Sequence, residues 1–249
     1  MIPDFSRFVK NFRTNRTEKE RRNAAVLFFC SKIEKTLYRQ TKIAYNRDNK
    51  REARSFFLNT SSFFAFAFRM KYINRWGLMK NSRYETLTEH SAETAMLAHF
   101  LALCGNRLYG RKYDAERVAL FALYHDVSEI ITGDLPTPVK YYNRTLRESY
   151  REIEEHACEE LLNRLPEEFR EDYAALLHED CTPEEKRIVK AADKLSALIK
   201  CTEEVKNGNT EFIKAKESTV RAVHEMHLPE ADYFLENMLP AFSLTLDEL

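Results

Sequence analysis

Glycine is scarce in this chain, with five in 249 residues, and most of the seven prolines fall between periodic segments. No alternating apolar–polar run of useful length appears, and runs of Ala, Leu, Glu, Lys and Arg dominate the rest. These are good helix formers, so an all-α protein is expected. Long apolar runs are missing too. Runs such as Ala24–Cys30 and Phe63–Phe68 fall far short of the roughly 18 residues that suggest a membrane span, so no transmembrane helix is expected. The five cysteines (Cys30, Cys104, Cys158, Cys181, Cys201) form no CxxC pair. That argues against a disulfide framework or a zinc ribbon, and they read as reduced thiols of a cytoplasmic protein. Net charge is zero, but it is unevenly spread: residues 1–60 carry 15 Lys/Arg against 6 Asp/Glu, leaving 24 against 33 in the remainder. An acidic body argues against a broad nucleic-acid surface while leaving room for a local basic pocket that binds one phosphate.

The charge break coincides with a change of character. Residues 1–59 are basic, rich in Asn, Arg and Thr, and weakly periodic. The acids interspersed there weaken a targeting-peptide reading, and no aromatic–basic pattern organises the charges for nucleic acid. A poorly ordered or loosely helical basic N-terminal extension is expected, followed by one domain over 60–249. In that domain the periodicity predicts helices at about 61–72, 88–104, 114–131, 142–164, 167–178, 183–207, 209–227 and 230–239. Asp114 stands as an N-cap, Thr182-Pro183-Glu184-Glu185 puts Pro at a first helical position, and Gly208 is a stop signal.

The stretch Tyr124-His125-Asp126-Val127-Ser128-Glu129 carries the chemistry. On an ideal helix with His125 at zero, Val118, Phe121 and Ala122 fall at about 20°, −40° and 60°, while Asp126 falls at about 100° and Glu129 at about 40°. Three ionisable groups thus follow a stripe whose other members are apolar. Burying them unpaired is costly, and a divalent cation binding imidazole and carboxylate is one compensation. A His125–Glu129 hydrogen-bonded pair, with Asp126 at the surface, is the other. His90 shares a face with Leu97, Leu101 and Cys104 near a helix start, and suits either a site between helices or a satisfied core position. Asp193 lies beside Val189 and Ala197 but also on a seam with Lys200 and Glu204, which fits a solvated salt-bridge face equally well.

His90, the His125–Asp126 doublet and Asp193 match the H…HD…D signature of HD-domain phosphohydrolases. Ile73-Asn74-Arg75-Trp76, Glu89-His90-Ser91, Thr132-Gly133-Asp134-Leu135-Pro136-Thr137-Pro138-Val139-Lys140 and Ala192-Asp193 further resemble the bacterial HD-domain 5′-deoxynucleotidase family over roughly residues 60–249. The resemblance implies an HD-domain helical bundle and one divalent transition-metal ion (Co, Mn, Fe, Ni or Zn) on His90, His125, Asp126 and Asp193. The implied activity is hydrolysis of a deoxyribonucleoside 5′-monophosphate to deoxyribonucleoside and phosphate. It makes Glu129 a catalytic carboxylate, as acid or base, and Arg75 the phosphate grip. Trp76 would line the sugar where a 2′-hydroxyl would sit. Asp134, Leu135, Pro136 and Thr137 would form a substrate wall, with Asp126 and Asp193 also facing substrate and Lys140 adding positive potential or standing as a surface lysine. It also implies a homodimer. An HD hydrolase of dNTPs, alarmones or another phosphoester is the runner-up, and a metal-binding nucleotide sensor with little turnover is a different class. An HD-type di-iron oxygenase needs further ligands, for which His99, His156, His178, His224 and His227 show no pattern.

Overall fold

The computed structural model of the protein describes residues 60–140 and 142–249, and the expected N-terminal extension lies outside them. Among the described residues every regular element is helical, and extended pairing is limited to one bridge between Asn74 and Thr86. The helices are α1 (Phe63–Ala67), α2 (Leu87–Leu108), α3 (Ala115–Tyr124), α4 (Glu129–Thr132), α5 (Thr137–Lys140), α6 (Arg144–Leu162), α7 (Arg170–Leu177), α8 (Pro183–Lys206), α9 (Ile213–His224) and α10 (Pro229–Asn237). No described helix is long and apolar enough to cross a membrane.

Local chemistry fixes the helix ends. Thr86 and Glu89 form a reciprocal capping box that starts α2, and Thr182 and Glu185 do the same for α8, with Pro183 just inside. The Asp114 carboxylate accepts from the Arg117 N–H at 3.0 Å and caps α3. Beyond α8, Gly208 adopts φ 81°, the left-handed conformation that ends a helix most cheaply with glycine.

α8 is the central helix. From Ile188 to Glu204 most of its residues are buried, including Lys200 and Glu204. Its apolar side chains join those of α2, α3, α9 and α10 in one core built around Leu101, Phe121, Ile188, Leu195 and Leu198. A second core joins Phe63, Met70, Leu87, Val127, Leu161 and Leu177. Three connections cross from one core to the other, at Leu87–Leu97, Ala122–Val127 and Leu177–Ile188, and the first two carry site residues. On α2 the passage from Leu87 to Leu97 contains His90, and after α3 the passage from Ala122 to Val127 contains His125 and Asp126. The polar site is therefore held on both sides by packed apolar side chains.

The expected helix over 114–131 is broken. His125–Ser128 is a turn between α3 and α4 in which Val127 N–H donates to Tyr124 O, Glu129 N–H to Asp126 O and Ile131 N–H to Ser128 O, all at 3.0 Å. Three-residue bonds tighten the backbone relative to an α-helix and re-aim successive side chains. The expected 61–72 helix likewise divides, α1 being followed by a 3₁₀ turn over Phe68–Tyr72.

Candidate active site

His90 falls in the first turn of α2, in a position set by the capping box, and is fully buried. One ring nitrogen, Nδ1, lies 3.0 Å from the Ser196 hydroxyl of α8. The other, Nε2, lies 3.2 Å from Asp193 Oδ1 and 3.5 Å from Asp126 Oδ2. His125, at the head of the turn, donates Nδ1–H to the Ala122 carbonyl at 2.7 Å. In the neutral ring Nε2 is thereby left as the lone-pair nitrogen. That atom is buried without a hydrogen-bond partner and faces Asp126 Oδ2 at 3.1 Å. The ligand atoms of His90, His125 and Asp193 lie within 4.8 Å of one another, the one such group of His, Cys, Asp or Glu among the described residues. The other candidate histidines lie elsewhere; His178 faces Glu159 and His224 faces Asp232 at the surface.

A lone pair and carboxylate oxygens cannot share this space without a cation between them. In the bare chain a proton serves. Burial works against the charged His125 ring, yet Asp126 and then Asp193 outweigh it and raise its pKa to about 9. Against the cost of burial, His125 holds the Asp126 carboxyl below its ordinary range, and His90 and then His125 do so for Asp193. The two imidazole nitrogens and the Asp193 carboxylate form a mixed N/O set that fits a divalent transition metal in place of that proton, with Asp126 outside that group but beside both rings.

Glu129 is buried at the start of α4, and its Oε2 has no hydrogen-bond partner. Burial, with Asp126 and Asp134 beside it, pushes its carboxyl up to about 9. The expected alternative of a His125–Glu129 hydrogen bond is not what forms, since His125 donates to Ala122 instead. Arg75 lies across the site, half-buried between Glu85 Oε2 at 3.7 Å and Asp193 Oδ1 at 3.8 Å. Both contacts are too long for hydrogen bonds, and Nη1 is buried with no hydrogen-bond partner. The guanidinium is thus held by charge with donors left over. Trp76 follows it with φ 59°, its indole N–H donating to the same Glu85 Oε2 at 3.0 Å and its ring 5.4 Å from that of Phe212.

Gly133, at φ 76°, turns the chain out of α4 and into Asp134, Leu135 and Pro136, all half-buried. Asp134 feels the charges of Arg75, Asp126 and His90, though burial dominates and raises its pKa. The Thr137 side chain lies outside what the structure describes. Lys140 pairs with Glu154 at 2.7 Å over the Tyr150 ring, and its charge also acts on Glu129 and Asp134. Asp193's expected seam partners pair with each other, but beneath the surface and not in solvent: Lys200 is 7% exposed and Glu204 1%. Two polar residues at the site escaped sequence reasoning. Ser196 lies one turn after Asp193, a spacing that could have marked it. Glu85 stands in a non-periodic connection that offers no such signal.

Residues 62–242 match the family described as 5′-deoxynucleotidase YfbR-like. A 5′-deoxynucleotidase of Enterobacter sp. (strain 638) is 47% identical over 193 residues, covering 77% of this chain and 97% of that protein. One of Yersinia pestis (strain Pestoides F) is 48% identical over 190 residues, covering 76% and 96%. Among solved structures, an HD-domain phosphohydrolase of Listeria innocua superposes with a TM-score of 0.63 at 27% identity, covering 73% of this chain and 88% of that one. The cyanophage S-2L HD phosphohydrolase, solved with dA and one catalytic Zn²⁺ ion, shares the fold at a TM-score of 0.53 and 18% identity, covering 71% and 95%.

Proposed function

We propose that this chain, which belongs to the YfbR-like 5′-deoxynucleotidase family, hydrolyses deoxyribonucleoside 5′-monophosphates with one divalent transition-metal ion held by His90, His125, Asp126 and Asp193. The reaction releases the deoxyribonucleoside and inorganic phosphate, which makes the protein a phosphoric monoester hydrolase. The observation that carries the reading is the convergence of His90, His125 and Asp193 beside a guanidinium whose Nη1 is buried and unspent. An ion there supplies Lewis acidity to the phosphoryl group and acidifies a water; the donor set suits Mn²⁺, Co²⁺, Fe²⁺, Ni²⁺ or Zn²⁺.

Arg75 grips phosphate oxygens through the donors it does not use internally and offsets charge that develops during transfer. Glu129 carries a proton at neutral pH because burial and its carboxylate neighbours hold it there. It is therefore suited to protonate the departing 5′-oxygen. Trp76 lines the sugar, where its ring opposes a 2′-hydroxyl. Asp134, Leu135, Pro136 and Thr137 form the remaining wall, with Asp134 able to accept from a sugar hydroxyl. Asp126 and Asp193 face the substrate as well as the ion. A homodimeric state and a cytoplasmic location belong to the same proposal, and light scattering on the purified chain tests the first.

The deciding experiment is a metal-supplemented panel of 5′- and 3′-monophosphates, ribo and deoxy. Phosphate release from the deoxyribo 5′-monophosphates is expected. Failure on every deoxynucleotide overturns the assignment, and, in a parallel assay with dNTPs as substrates, preferential release of triphosphate or pyrophosphate moves it to the dNTP-hydrolysing branch.

A further inference from the structure

Glu85 lies just ahead of α2, 5% exposed, and its backbone carbonyl accepts from the Arg75 N–H at 2.9 Å. That bond belongs to the same short pairing as the Asn74–Thr86 bridge, with Leu87 N–H donating to Ile73 O at 2.9 Å. The pairing fixes the Glu85 side chain opposite Arg75 and Trp76. One oxygen then serves both neighbours: Oε2 accepts from the Trp76 indole N–H at 3.0 Å and lies 3.7 Å from Arg75 Nη1. The second oxygen, Oε1, is 4.0 Å from Nδ1 of His90. That nitrogen is on the opposite side of the ring from the one that faces Asp126 and Asp193. Glu85 therefore stands outside the metal-ligand set.

We propose that Glu85 is a positioning residue that clamps Arg75 and Trp76 with one carboxylate oxygen and thereby sets the discrimination between deoxyribo- and ribonucleotides. Trp76 needs such a restraint. A bulky residue at φ 59° is a backbone outlier that persists only when its surroundings over-determine it. Here Met79 N–H and Asn81 Nδ2–H both donate to its carbonyl, at 2.9 and 3.1 Å, and Phe212 supports the ring. Those contacts fix the backbone and one edge of the ring. The bond to Glu85 is the polar contact that fixes where the indole points. The same carboxylate attracts Arg75 without consuming a guanidinium donor, so the phosphate grip is oriented and still free to bind.

The assignment rests on reading Arg75 and Trp76 as substrate contacts, and the test separates the two. Trp76 is the only tryptophan, so intrinsic fluorescence excited selectively over the tyrosines reports on this residue in the full-length chain without substrate. In Glu85→Leu, loss of the clamp should shift the emission and raise acrylamide quenching. With Mn²⁺ present, the ratio of kcat/KM for dAMP over AMP should fall about tenfold or more, the scale of a lost hydrogen bond to a charged group. Glu85→Gln keeps an acceptor for the indole but not the charge. It should retain the wild-type emission and sugar ratio while KM for both nucleotides rises. Unchanged emission and quenching in folded Glu85→Leu overturn the clamp. If that variant does not fold, a wild-type KM in Glu85→Gln overturns it instead. A wild-type enzyme without preference for dAMP over AMP sinks the sugar-reading role, and the ligand-free fluorescence then still decides the clamp.

Discussion

Replacing Glu204 by Gln should destabilise the Ser61–Leu249 unit by about 3–5 kcal/mol, the usual cost of removing one partner from a buried ion pair. The carboxylate is 1% exposed near the C-terminal end of α8 and is the hub of the loop that follows Trp76. It accepts from Ser82 N–H at 2.9 Å, Arg83 N–H at 3.3 Å and Asn209 Nδ2–H at 2.7 Å. It also pairs with the Lys200 ammonium, which otherwise donates to the Arg83 carbonyl and lies 5.7 Å from the centre of the Phe212 ring. Gln keeps the shape, but its amide donors face groups that already donate, and Lys200 is left charged and 7% exposed without a counter-ion. For a unit of this size each kcal/mol shifts Tm by about 2–4 °C, so a fall of about 6–20 °C is expected. Urea denaturation followed by far-ultraviolet circular dichroism, at fixed metal and protein concentration, gives the free energy directly.

Two controls sharpen that result. Lys200→Met removes the other charge but leaves Glu204 its three N–H donors, so the double variant should cost less than the two single changes added by about 0.5–3 kcal/mol. The pH dependence has a fixed sign. Lys200, Asn209 and the Ser82 N–H outweigh burial and hold the Glu204 carboxyl far below its ordinary 4.5. Below that ordinary value the unfolded chain binds the extra proton first. The contribution is therefore complete above about pH 4.5 and is lost as pH falls toward the folded value. A loss under about 1 kcal/mol at neutral pH, or a wild-type advantage that grows on acidification, would refute the reasoning.

Removing metal with a chelator and restoring it at about 100 times its Kd should recover about 2.7 kcal/mol, or about 5–11 °C in Tm, and Asp193→Ala should abolish the shift. Because the His125 pKa is raised to about 9 in the bare chain, binding must expel a proton. Calorimetric affinity should strengthen as pH rises towards that value and level off above it; a pH-independent affinity contradicts the ligand assignment. Glu129→Gln should lower kcat by about 10²–10⁴ and preserve the metal-induced Tm shift, and wild-type turnover would remove Glu129 from the chemistry. Gly105→Ala places a Cβ 2.6 Å from the Tyr113 ring and 2.8 Å from Glu230 Oε1. Overpacking should exceed the helix-propensity gain by about 1 kcal/mol, and a rise in Tm would refute that tight contact.

What could be read from the sequence was governed by neighbours along the chain. The Asp114 cap, the Thr182-Pro183 start and the Gly208 stop depend on groups within a few residues, and each forms as expected. The stripe through Val118, Phe121 and Ala122 is buried for the same reason. The break at His125–Ser128 was not legible, because no Gly or Pro marks it and the apolar spacing continues through Val127 and Ile130. Nor was the environment of Lys200 and Glu204. A salt-bridge seam at i, i+4 has one pattern whether water or protein covers it, and the cover here is Ser82–Arg83, more than a hundred residues away. Lys140 has the same ambiguity: its engagement by Glu154 depends on how α5 meets α6.

The charge around Arg75 explains why the site needs more than a guanidinium. Asp193, Glu85, Asp126 and Asp134 all act on it and, against the cost of burial, together raise its pKa. Four carboxylates around one arginine make a pocket that by itself repels a phosphate dianion. A neutral Glu129 limits that repulsion, and so does the proton on His125, but a proton there occupies the nitrogen that a metal requires. The two states of the site are therefore exclusive. One is protonated, self-compensated and poor for phosphate. In the metal-bound state proposed above, His125 would be deprotonated and a divalent cation would balance Asp126 and Asp193, which would free Arg75 to attract the substrate. Affinity for a deoxyribonucleoside 5′-monophosphate should accordingly follow metal occupancy and weaken with falling pH, even though acidification adds positive charge to the protein as a whole.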